Sequence, residues 1–450
     1  MIRRIVFALS LGLGLALGLL WLLGGQNGVA LADSGVLYVA PGGDCGGVTP
    51  CYATVQAAVD ATVPGDVIKV AQGSYTGVQT RIAPARYDGP TIITQVVYIS
   101  KTITVRGGYT TAFTDPPDPE TNQTTLDAQG QGRVIFITGD IGPTIEGLRL
   151  TAGDANGLGG DHWGYDAGGG LFLWYNDATV TISNNRVFSN TADNGGGLYM
   201  YKGAATFSSN TVTSNTANDY GGGLFLYDSD ATLGANTVTS NTVNGRGGGL
   251  FLYYSNAPLS ANIVVFNTAN SGGGGLFLQG GAATLTNNVI ADNQDSRAGS
   301  GLYIWDSSPR LLHTTIARNR GGDGSGLYVA GSSNQSTVAL TNTILVSHTV
   351  GVAVTQGNTA TLNATLWHIN GTDYSGNVIH VNDRSGDPDF DPDGYHLPPI
   401  SAAIDAGVDA GVTTDIDGDA RPWGEGYDIG ADEFGEWWYV YLPLVKSCAH

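Results

Sequence analysis

From Ala167 to Ala330 the chain is written in runs of three to five residues in which apolar and polar positions alternate, each run closed by Gly or Asn. Gly-Gly-Gly-Leu followed by Phe or Tyr recurs with its last glycine at Gly170, Gly197, Gly223, Gly249 and Gly275. It returns as Gly-Ser-Gly-Leu-Tyr at Gly301 and Gly326, so the spacing is 25 to 27 residues throughout. Each unit adds a second alternating run (Ala178 to Ile182 in the first), an Asn, a third short run and another Asn. A period of two is a strand signal, and none of these units carries a helix-length apolar pattern. The pattern therefore predicts a β-solenoid with three short strands per coil of about 26 residues, and excludes helical and leucine-rich repeats.

The first Asn series is Asn185, Asn210, Asn236, Asn262 and Asn288, with Thr314 substituting and Asn342 later; the second is Asn190, Asn215, Asn241, Asn267, Asn293 and Asn319. Amides stacked at one corner of every coil can bond along the column, because each both donates and accepts. Asn also tolerates a left-handed bend, and Gly at a corner supplies positive φ and lets coils approach. The bias of parallel β connections makes the expected coil right-handed. A single coil buries too few aliphatic side chains to offset its own ordering, so only a stack folds. The pattern degrades at both ends, with irregular coils expected over Val97–Gly108, Val134–Leu150, Val350–Leu366 and Val378–Val381. One amphipathic helix, Ala53 to Thr62, has Val55, Ala58 and Val59 on one face and is expected to plug the N-terminal end of the core.

Alternation also assigns faces. The residues one and three after each corner glycine are Leu, Met, Ile or Val and point inward, so those two and four after it point outward. The first outward column reads Phe172, Tyr199, Phe225, Phe251, Phe277, Tyr303, Tyr328; the second reads Trp174, Tyr201, Tyr227, Tyr253, Gln279, Trp305, Ala330. The expectation is a two-column aromatic wall repeating about every 4.8 Å, exposed and suited to stacking on the sugar rings of a linear polysaccharide. The alternative is that stacked exterior rings stabilise the solenoid or lie beneath a loop.

Met1-Ile2-Arg3-Arg4, the apolar run Ile5 to Leu23 and Ala30-Leu31-Ala32 form a secretory signal pattern cut after Ala32. The apolar run is long enough to span a bilayer, which leaves an uncleaved anchor as the alternative. Either form puts the rest of the chain outside the cytoplasm, extracellular or on the cell surface, with no further membrane span. With 39 Asp+Glu against 19 Lys+Arg and a net charge of −20, nucleic acid and anionic lipid are excluded as partners. In an oxidising compartment Cys45 and Cys51, flanking a five-residue loop, are expected to form a disulfide, leaving Cys448 over.

Tyr38 to Tyr75, with Thr54-Val55-Gln56-Ala57-Ala58-Val59 and Pro64-Gly65-Asp66-Val67-Ile68, resembles the cap and first coil of pectate-lyase-like β-helix proteins. The Gly-Gly-Gly-Leu-Phe/Tyr units resemble those of bacterial surface and autotransporter-type β-helices. Ser401 to Gly407, Asp415 to Pro422 and Asp428 to Phe434 are similar, in order, to three motifs of the choice-of-anchor Q domain. These resemblances imply a secreted or surface-attached β-helix and leave activity open. The layout is a signal peptide over 1–32, a cap and irregular coils over 33–130, β-helix repeats over 131–384, the anchor-like region over 385–436 and an aromatic tail over 437–450.

Two groups of residues are candidates for chemistry. Asp161, His162 and Asp166, with Trp163 and Tyr165, sit in an insertion before the first regular coil that can overhang the wall; Lys202 is the nearby base candidate. A lyase needs carboxylates holding Ca²⁺ and a basic residue, but an ordinary ion pair to Asp228, one coil on, also accounts for Lys202. The paired-Asp and Gly-His-Gly pattern of polygalacturonases is absent. Asp387, Asp389, Asp391 and Asp393, and then Asp415, Asp417 and Asp419, alternate before glycines as in calcium loops, with the latter three the candidate ligands of a structural Ca²⁺. No cofactor is required. The sequence thus predicts a binder of extracellular polysaccharide or of a surface protein, with a polysaccharide lyase or hydrolase and a structural stalk as rivals.

Overall fold

The computed structural model describes residues 35–176 and 180–435. The expected signal peptide, the aromatic tail and Cys448 lie outside the described residues. Among the described residues no helix is long and apolar enough to cross a membrane.

The chain coils into a parallel β-helix whose strands run from Val36–Val39 to Arg384–Ser385. Strands stack into sheets of 24, 12 and 5 members, paired in parallel except where Gln79–Ile82 runs antiparallel to Ile92–Ile99. The repeat determines the register: Leu198–Tyr201 pairs residue for residue with Leu171–Trp174 before it and Leu224–Tyr227 after it. Inward Leu, Ile, Val and Met side chains of all coils form one continuous core, from Leu37 to Trp367. Helix Val55–Ala61 adds Val55, Ala58 and Val59 to that core, and the Thr54 hydroxyl caps it by accepting from the Ala57 N–H at 3.2 Å. The disulfide Cys45–Cys51 is present.

Both Asn ladders form, fully buried. Asn215 Nδ2 donates to Asn241 Oδ1 at 3.0 Å, Asn241 to Asn267 at 2.9 Å and Asn267 to Asn293 at 3.0 Å, while each backbone N–H also donates to the next Oδ1. The left-handed bend is one residue earlier than expected: Ser214, Ser240, Phe266 and Asp292, each preceding a ladder Asn, have φ of 55 to 57°. The Asn itself keeps its amide turned into the stack. Asn342 takes such a bend position (φ 54°) and so falls outside the first ladder. Thr314, Thr343 and Thr365 continue that column instead.

Glycine roles are divided between the two ends of each Gly-Gly-Gly. The first glycine takes the positive φ (62° at Gly221), whereas the last sits against the next coil, where a Cβ on Gly223 would lie 2.6 Å from the Gly249 carbonyl oxygen.

The segment after Ser385 does not extend the stack. Leu397, Ala403, Ile429 and Ala431 pack on the outer face of the helix, against Ala317, Ile344 and Leu366. Backbone and side-chain bonds tie it there: Asn287 Nδ2 donates to Thr414 O at 2.7 Å and Asn342 Nδ2 to Val408 O at 2.7 Å. Within it, Arg421 and Glu433 form a fully buried ion pair at 2.6 Å, and Arg421 Nη2 also reaches Gly430 O and Ala431 O. The Arg-Pro and Asp-Ile-Gly-Ala-Asp-Glu motifs thus meet each other.

Candidate functional site

The two aromatic columns stand on the outer face of the 12-stranded sheet in the expected register. Phe172, Tyr199, Phe225, Phe251, Phe277, Tyr303 and Tyr328 succeed one another as direct partners, as do Trp174, Tyr201, Tyr227, Tyr253, Gln279, Trp305 and Ala330. The first column extends two coils upstream through Phe136 and Tyr98, in coils whose irregular sequence hid the pattern.

The expectation that both columns are exposed is corrected. Phe172, Tyr199, Phe225, Phe251 and Phe277 are at most 1% exposed and form a second hydrophobic core outside the helix. Alternation gave the correct face, but the segments entering each glycine corner fold over it. Tyr220 stacks on Phe251 at 4.9 Å between centroids, Arg246 lies 5.3 Å over Phe277, and the buried Arg133 lies 4.6 Å over Phe172 while donating to Ala167 O and Gly159 O. Tyr87, from the antiparallel hairpin, covers Phe136 and Trp174.

The second column is the rim of this layer. Its first rings, Trp174 and Tyr201, are buried, whereas Tyr227, Tyr253 and Trp305 are half-buried. Centroids are 4.8 Å apart from Trp174 to Tyr201, then 5.0 Å to Tyr227 and 5.0 Å to Tyr253. The insertion loop does overhang the wall. Trp163 stacks on Tyr227 at 5.0 Å and 15°, meets Tyr253 edge-on at 5.3 Å, and is itself 42% exposed. Tyr175 and Tyr254, which the repeat did not single out, add exposed rings against Trp174 and Tyr253. Burial, with Tyr201 and Tyr253 beside it, pushes the Tyr227 hydroxyl up to about 12, so this ring is neutral.

At the end near Trp174 the rim opens into a cleft of about 650 Å³ lined by Arg86, Asp140, Trp174, Tyr175, Asn176 and Lys202. Trp174 Nε1 is buried and has no partner among the described residues. Lys202 lies 5.3 Å over the Tyr201 ring and 3.7 Å from Asp228, the ion pair one coil apart.

The catalytic candidates Asp161 and Asp166 are both engaged within the loop itself and, at Asn194, with the coil beside it. Asp161 is wholly buried: one oxygen accepts the Trp163 N–H at 3.0 Å, the other the Asn194 amide. Burial pushes its pKa up to about 6. Asp166 closes the same loop by accepting from Gly157 N at 2.7 Å and Gly159 N at 2.6 Å. Both carboxylates shape the loop that carries Trp163, and His162 is stacked parallel to Tyr201 at 6.1 Å.

In the C-terminal segment the proposed trio Asp415, Asp417 and Asp419 is divided. Asp415 accepts three backbone N–H groups, from Asp417, Asp419 and Glu433, and so holds the turn. Asp417 faces His396 instead, with Nε2 to Oδ2 at 2.7 Å, and Asp432 approaches the same nitrogen at 4.0 Å. Asp393 bonds the other ring nitrogen. Burial pulls His396 down, but its bonds to Asp393 and Asp417 outweigh this and push it up to about 9. Sequence reading missed His396 and Asp432, which lie outside the alternating-Asp strings.

Residues 122–269 match the family model described as right handed beta helix region, and residues 205–381 match that described as periplasmic copper-binding protein (NosD). No curated protein matches. Among solved structures, pectate lyase Pel9A is similar at 14% identity over 90% of this chain and 98% of that chain, with a TM-score of 0.41. The chain is a right-handed parallel β-helix of about 26 residues per turn.

Proposed function

We propose that this is an exported β-helix protein that binds an extracellular polysaccharide along the half-buried aromatic rim. The observation that carries the reading is the half-buried pair Tyr227 and Tyr253 with the exposed Trp163 packed on both, rings about 5 Å apart that continue the line of the buried Tyr201. Flat apolar rings with polar tips suit sugar faces and hydroxyls together. The cleft at Trp174 adds two basic side chains, Arg86 and Lys202, at one end of the line. The family model of a periplasmic protein, together with the sequence's signal pattern, supports a location outside the cytoplasm. The choice-of-anchor-like motifs support attachment at a surface.

The test is retention of the exported protein on immobilised plant and bacterial polysaccharides, with release of sugar ends read from the same tubes. Binding without cleavage that falls at least tenfold in Tyr253→Ala combined with Trp163→Ala supports the rim. Release of unsaturated or reducing ends makes the protein an enzyme. Retention by no glycan leaves a structural stalk.

A further inference from the structure

The geometry points to a divalent transition-metal site of the zinc class formed by His396 Nε2, Asp417 and Asp432, separate from the aromatic rim. The three donor atoms lie within 4.8 Å of one another and come from three segments, the turn 391–396, the turn 415–419 and the strip 428–434. The C-terminal segment's packing on the β-helix brings these together.

Two features favour an ion over a chance surface cluster. First, Asp432 has a side chain only 8% exposed; its Oδ2 accepts the Leu397 N–H at 2.7 Å, while no described donor hydrogen-bonds to its Oδ1, which faces His396 Nε2 at 4.0 Å. The buried side chain is thus anchored through Oδ2 and presents its other oxygen to the imidazole, where a cation can sit between the two. Second, Asp393 holds Nδ1, which turns Nε2 toward Asp417 and Asp432. A carboxylate behind a ligating imidazole is the arrangement that fixes its tautomer and orientation.

The donor set selects the class of ion. One imidazole and two carboxylates suit zinc and its neighbours, whereas calcium takes six to eight oxygens. Donors about 2.0–2.2 Å from zinc stand roughly 3.3 Å apart in a tetrahedron. The present separations from His396 Nε2, 2.7 Å to Asp417 and 4.0 Å to Asp432, bracket that value, and the third is at most 4.8 Å, so side-chain shifts of about 1–1.5 Å complete the site. Three protein ligands leave the fourth position to water.

The test is calorimetric titration of ZnCl₂, and separately CaCl₂, into the full exported chain, purified without a polyhistidine tag and stripped with EDTA. One zinc per chain is expected, with affinity at least tenfold weaker in His396→Gln and in Asp417→Asn and unchanged in the exposed Asp389→Asn. Asp417 is half-exposed, so its variant keeps the fold, which circular dichroism checks. Absence of zinc heat overturns the site and leaves an imidazolium held by carboxylates. Zinc binding unaffected by both variants, or calcium bound more tightly than zinc, overturns it equally.

Discussion

Asn241 sits in the middle of the second ladder and is fully buried. Its Nδ2 donates to Asn267 Oδ1 and to Val212 O, both at 2.9 Å, and its Oδ1 accepts from Asn215 N at 3.0 Å and Asn215 Nδ2 at 3.0 Å. Asn241→Ala removes all four bonds and leaves the Asn215 N–H facing a small void that excludes other donors and acceptors. A net bond contributes about 1 kcal/mol, and each orphaned buried group costs about 1–3 kcal/mol. Four bonds and one orphaned N–H sum to about 5–7 kcal/mol, the Asn215 Nδ2 keeping its second acceptor, Val187 O, at 3.0 Å. Urea unfolding followed by circular dichroism measures this as a lowered midpoint. Native-state hydrogen exchange should show the Asn215 amide losing protection more than amides several coils away, because each coil contacts mainly its neighbours. A loss below about 1 kcal/mol, or a uniform loss of protection along the solenoid, would refute the claim that the ladder bonds hold adjacent coils.

Phe225→Ala tests the correction to the inner aromatic column: a wholly buried ring should cost about 3–5 kcal/mol in chemical denaturation while glycan retention, if present, is unchanged. An exposed ring would give the reverse. His348 ends the second ladder, facing Asn319 Nδ2 at 3.3 Å, and burial holds its pKa down at about 4 against an ordinary 6.5. Its contribution to stability is therefore complete above pH 6.5 and is lost as pH falls through about 4, a swing of about 3 kcal/mol. His348→Asn extends the ladder toward Asn370 and should flatten the decline of Tm between pH 6.5 and 4; an unchanged profile argues against this assignment.

The repeat was enough to specify the coil. A 25–27-residue repeat of alternating runs permits one arrangement that buries every Leu and Val and pairs every strand, so the register, the ladders and the outward side of Phe225 and Tyr227 follow from local rules. The capping helix and the Cys45–Cys51 bridge were legible for the same reason, since each depends on residues within one short segment. What lies over the outer face was not. Whether an outward ring meets water depends on Tyr87, Arg133 and Tyr220, which arrive from other coils and which no periodicity places. The same holds at the C-terminus. Alternating aspartates suggested a local calcium loop, but the segment folds back on the helix, backbone N–H groups occupy Asp415, and Asp417 meets His396 and Asp432 instead. These pairings are contacts between segments whose meeting is set by packing on the solenoid surface rather than by spacing along the chain.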